Sequence, residues 1–234
     1  MKTRLFAALI AALMFAMALP VVALAQTDEV DDTEQSEGPR DRVFEELRER
    51  VLFQLDRRLD RIDRLQFEIR SSDTVEPEHA AHLTADLASS QGGLTALEAT
   101  ARSATTFEQL RAIQQEMVTE HRIFALRTPQ TGLVLASDFG VSVADRLGSV
   151  GATLVEAAAR AAEAGYDVSE VEALIAEATD LTAAGLALVD PVAETVLPLE
   201  PAEFPDPARS TMEEARDDMI DGRQTYRDAR DTLR

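Results

Sequence analysis

Between Asp41 and Arg70, Phe44, Leu47, Val51, Leu55, Leu59, Ile62, Leu65 and Ile69 recur at steps of three or four. That period belongs to one face of a helix, and it is sustained over about 30 residues. Between the apolar positions, acids and arginines alternate, as in Asp56-Arg57-Arg58-Leu59-Asp60-Arg61. The arrangement describes a solvated helix face on which the aspartates cancel the arginines. Nowhere does the chain alternate with period two for long enough to make a strand, so the fold class expected is all-α.

The other helical stretches follow from the same period. Ser71-Ser72-Asp73 closes the first, and Pro77 is well placed to open the second. There Leu83, Leu87, Ser90, Leu94, Leu97 and Ala101 form a heptad seam interrupted by Gly92-Gly93, a weak point or a close helix crossing. Thr105-Thr106-Phe107-Glu108 reads as a capping box, after which Leu110, Ile113, Met117 and Phe124 carry the stripe to about Arg127. Pro129 must kink or stop that helix. The pattern resumes from Leu133 through the alanine-rich 157–164, with Gly165 as a C-cap residue and Asp167 or Ser169 as the next N-cap. Val171, Leu174, Ala178, Leu181, Gly185 and Leu188 define the following seam. Prolines from Pro191 to Pro207 mark an irregular connection before Met212, Ala215, Met219, Gly222, Tyr226, Ala229 and Leu233.

These lengths favour an antiparallel helical bundle with coiled-coil-like heptads. The arrangement expected is two three-helix bundles, over 41–128 and 129–234, sharing a long central helix kinked at Pro129. A single longer, irregular antiparallel bundle is the alternative.

The N-terminus reads as an address. A short basic start with Lys2 and Arg4 precedes an apolar run from Leu5 to Val22, and Ala23-Leu24-Ala25 supplies a cleavage site. Residues 1–25 are therefore expected to be a signal peptide, which places the chain outside the cytoplasm, secreted or in the cell envelope. Residues 26–40 read as a disordered acidic leader. No later stretch is apolar enough to cross a membrane. The formal charge is −20, and it becomes −22 once Lys2 and Arg4 are set aside. Such a field repels nucleic acid, and it calls for a partner with a basic or mixed-charge face. The chain has no cysteine, which removes disulfides, thiolate metal sites and haem attachment.

Little of the sequence carries chemistry. His79 and His82, with Glu76 and Glu78 beside them, form the nearest thing to a metal-ligand group, and a third ligand would have to come from elsewhere, such as His121. Ordinary polar surface is the reading preferred. Asp138-Phe139-Gly140 matches a kinase tripeptide without its companion motifs. Glu213, Glu214, Asp217, Asp218 and Asp221 read as a solvated face, and Met212, Met219 and Tyr226 as core. No catalytic, cofactor-binding or metal-binding residue is assigned.

The segment TTFEQLRAIQQEMVTEHRIFALRTPQTGLVLASD, from Thr105 to Asp138, resembles one recurring in uncharacterised exported helical-bundle proteins of high-GC Gram-positive bacteria. RLDRIDRLQFEI, LTALEATARSATT and LPLEPAEF are similar to other parts of those chains. The resemblance implies an exported bundle and transfers no residue roles. The function expected is non-enzymatic, namely protein–protein binding or an envelope spacer. An extracytoplasmic holding chaperone is the alternative, and a carboxylate/His metal-binding protein stands behind it.

Overall fold

The first stripe forms α1, Pro39–Ser71, which buries Val51, Leu55, Ile62, Leu65 and Ile69. In the computed structural model, residues 38–234 are described and form one compact unit. The expected signal peptide and the leader up to residue 37 lie outside the described residues. The last leader residues already belong to α1, because Pro39 suits a first helical turn.

After α1 come α2, Pro77–Ser103, and α3, Phe107–Thr119, both antiparallel in sequence order to their predecessor and packed with α1. A π-helical turn, Ile123–Arg127, leads into α4, Thr128–Glu163. Then follow α5, Ser169–Val196, a 3₁₀ turn at Pro201–Glu203, and α6, Ala208–Thr232, with α4, α5 and α6 in mutual contact. No strand occurs among the described residues. The chain is an all-α helical bundle. Its two three-helix groups share one contiguous apolar core, running from Val51 and Leu83 through Ile123 and Leu126 to Val189 and Tyr226. Each leucine sealed in that core, such as Leu55 or Leu94, contributes roughly 1.5–3 kcal/mol by leaving water.

The local differences from the sequence reading have physical causes. The break between the groups lies at Glu120–Arg122, upstream of Pro129. Arg122 takes a left-handed backbone (φ 37°) that ends the α3 ladder. Its Nε donates to the Pro201 carbonyl at 2.8 Å, and its guanidinium stacks on Phe204 at 4.9 Å. Pro129 sits inside the first turn of α4, where a missing N–H removes no helical bond. Phe124 consequently falls on the surface, under the Arg57 and Arg58 guanidiniums, and does not extend the α3 stripe.

At the start of α3 the cap shifts by one residue. Thr106 Oγ1 accepts from the Gln109 N–H at 3.3 Å, and Gln109 Oε1 accepts from the N–H groups of Thr105 and Thr106. In the second group α5 passes through Pro191 and ends only at Val196. Packing of Val189, Val192, Ala193 and Val196 outweighs the proline, which lies on the exposed side. The buried face of α5 is also rotated from the expected seam, to Ile175, Ala178, Gly185 and Val189, because this helix lies between two neighbours.

Candidate functional site

A charge in the interior needs a partner. Asp138 lies on α4 and is 7% exposed. Its Oδ2 accepts the Glu76 N–H at 3.0 Å, and its Oδ1 lies 2.9 Å from His79 Nδ1. Glu76 Oε2 is 3.6 Å from the other ring nitrogen of His79. Glu76, His79 and Asp138 thus form the one group of three potential metal ligands among the described residues.

The group is satisfied by itself. A carboxylate only accepts hydrogen bonds, so Asp138 fixes the proton of His79 on Nδ1. Together these contacts pin the start of α2 to α4. The sequence paired His79 with Glu76, as the structure does, but set His82 and Glu78 beside them where the structure brings Asp138. His82 turns instead toward Asp86, at 3.8 Å. His121 packs over Gly93, fourteen residues along α2 from His79, a distance of about 21 Å at 1.5 Å per residue. A Cβ at Gly93 would overlap the His121 ring, which explains that glycine as a close approach. Burial lowers the His121 pKa, with Glu116 and Glu120 opposing the shift, and its Nε2 finds no partner. In the sequence Asp138 stands out only as the first residue of Asp138-Phe139-Gly140, with no role assigned.

A second polar cluster closes the end of α5. Gln130 is wholly buried, and its side-chain amide donates to the carbonyls of Val196 (2.8 Å), Leu197 (3.0 Å) and Leu199 (3.3 Å). Arg127 donates to Gln130 Oε1 at 2.8 Å and to Asp86. Burial pulls the Arg127 guanidinium below its ordinary value, while Asp86 and Glu200 pull it back up. The cluster answers the orphan carbonyls of a helix end. It is a structural lock, not a reaction centre.

The open surfaces lie in the second group, and two grooves meet there. Beside the last turn of α6, Leu233 touches a groove of about 650 Å³ between α4 and α5, lined by Ala144, Leu147, Gly151, Ala178, Thr182 and Leu186 among others. Beyond it a further hollow of about 390 Å³ is walled by α4 and α5 alone. The two helices therefore continue as a two-helix arm to the turn at 164–168, where Gly165 (φ 89°) closes α4 as expected. Among the described residues no third helix packs on the arm, and Val150, Val155 (53%), Val171 and Leu174 (42%) are exposed. Asp145, Glu172 and Asp180 stand on the rim of this surface.

The second groove lies between α4 and α6 and encloses about 370 Å³. Ala136, Phe139, Val143, Leu147 and Tyr226 give it an apolar lining, and Arg223, Arg227 and Arg230 stand on its α6 side. The five acids named on α6, Glu213 to Asp221, lie outside this lining, and Glu213 pairs with Arg209 at 2.9 Å. Met212, Met219 and Tyr226 are buried, as their period indicated. No protein-family model matches this chain, and no curated protein or solved structure matches it either.

Proposed function

We propose that this chain is an exported, non-enzymatic binding protein that receives a helical segment of another protein on its α4–α5 arm. The observation that carries this reading is the concave apolar surface that α4 and α5 leave open among the described residues. A seam of Gly148, Gly151, Ala152, Ala158 and Ala159 admits a helix backbone closely, since small side chains let helices approach. Its acidic rim favours a basic or mixed-charge amphipathic helix, bound through anchors at i, i+3, i+4 and i+7. A second copy of the chain would present the same acidic rim and be repelled. The signal-like N-terminus and the resemblance of Thr105–Asp138 to exported bundles support a place outside the cytoplasm.

A photo-crosslinker at Val155 or Leu174, with another at exposed Phe67 on α1 as control, tests this in the producing cell. The expected result is one defined protein captured from the arm alone, and lost when Ala152 and Ala176 are changed to Glu. Equal capture from α1, or none from the arm, would remove the reading. The holding-chaperone alternative shares the apolar surface, and it would show as many captured proteins of unrelated sequence.

A further inference from the structure

The α4–α6 groove has the opposite sign from the arm. Arg223, Arg227 and Arg230 stand at i, i+4 and i+7, hence on one face of α6, in a chain where acids outnumber strong cations 43 to 23. Like charges at this spacing repel one another. Arg230 pairs with Asp231 at 2.8 Å. Among the described residues, Arg223 and Arg227 make no ion pair and no cation–π contact. Below them the lining is apolar, and Phe139 remains 53% exposed at its edge. Tyr226 is 7% exposed, and its hydroxyl has no hydrogen-bond partner. Cations without partners over an apolar trough call for one kind of occupant.

We infer that this groove binds a single-chain anionic amphiphile of the free fatty acid type. Its alkyl chain lies along Ala136, Val143 and Leu147, and its carboxylate meets Arg223 and Arg227. A volume of about 370 Å³ suits a small ligand, whose pockets span roughly 300–1,000 Å³. The lining from Ala136 to Leu147 covers eleven steps of α4, about 16 Å, which is a chain-shaped length and not that of a compact anion. Guanidiniums are suited to the head, because their planar fork matches a carboxylate with two parallel hydrogen bonds. This inference does not depend on the reading of the arm.

The test is calorimetric titration of the purified chain with monomeric dodecanoate, beside hexanoate and dodecyltrimethylammonium. Saturable one-to-one binding of dodecanoate is expected, with hexanoate weaker for want of a tail and the cationic amphiphile excluded. The exposed double change R223E/R227E should weaken dodecanoate by about tenfold or more, the equivalent of roughly 1.4 kcal/mol, while leaving the helical circular dichroism unchanged. A groove-filling change, Ala136→Trp, should weaken it as well. Equal binding of the cationic amphiphile, or no effect of R223E/R227E, would overturn the inference. So would sedimentation showing a dimer that R223E/R227E dissociates, because a second copy would then occupy the groove.

Discussion

Gly222 and Gly92 show how one residue type takes its meaning from its surroundings. A Cβ at Gly222 would meet Val189 Cγ1 at 2.5 Å and the Gly185 carbonyl at 3.2 Å, so α5 and α6 cross here backbone to backbone. A Cβ at Gly92 would meet nothing within 4 Å. Gly222→Ala is therefore expected to lower stability by about 1–3 kcal/mol through overpacking. Gly92→Ala is expected to raise it by up to about 1 kcal/mol through helix propensity alone. Urea unfolding of the two variants checks both signs. Tyr226 gives a second test. Desolvation, then Asp190 and Asp145, push its hydroxyl up to about 12 from an ordinary 10. Between those values the folded chain keeps a proton that the unfolded chain releases, so stability falls as pH rises through that window. Tyr226→Phe removes both this dependence and an unpartnered hydroxyl. Its stability should fall less than that of the parent between pH 10 and 12, as measured by urea midpoints, and an equal fall in both would contradict the assignment.

At the scale of elements, helix ends decide more than helix bodies. The end of α5 depends on Gln130, whose amide serves the carbonyls of three buried residues. Gln130→Leu keeps the volume but leaves the Leu197 carbonyl without its partner and removes one bond of Arg127. It also weakens the bonding of the Val196 and Leu199 carbonyls, which keep the Leu199 N–H and Arg127 respectively. A loss of about 2–4 kcal/mol is expected in chemical unfolding, more than for a surface Gln→Leu change. The arm ends differently, at an exposed turn held by Gly165 and by Asp167, whose Oδ1 accepts from Ser169. Tyr166 there is 72% exposed and outside any helix. Limited chymotrypsin digestion of the described helices should cut after Tyr166 before it cuts after Phe124 or Phe139. Early cutting at Phe124 or Phe139 would show that the helices near the break open more readily than the arm.

Across the whole molecule, charge is unevenly matched. Acids outnumber lysines and arginines 43 to 23, so many carboxylates lack a cationic partner. With a formal charge of −20, self-repulsion opposes the compact state. Salt shortens its reach to about 10 Å at 0.1 M. The melting temperature should therefore rise with moderate NaCl, and a flat or falling curve would mean that the acids are already balanced. Salt should act oppositely on binding, weakening a basic helix on the acidic arm and an anion on the arginine-lined groove alike.

Local periodicity alone determined the helices. The buried sets of α1, α2 and α6 match the spacing of Leu55, Leu94 and Met219, because each of these helices presents one main apolar stripe. The proline at position 77 and the glycine at position 165 marked true ends, since their backbone limits act within a single turn. Tertiary structure decided the rest. Whether Pro129 or Pro191 ends a helix depends on what its neighbours bury, which no local pattern contains. The meeting of Asp138 with His79 and the packing of His121 over Gly93 depend on which helices lie side by side. The two grooves depend on which faces of α4, α5 and α6 pack together, and only the tertiary structure sets that.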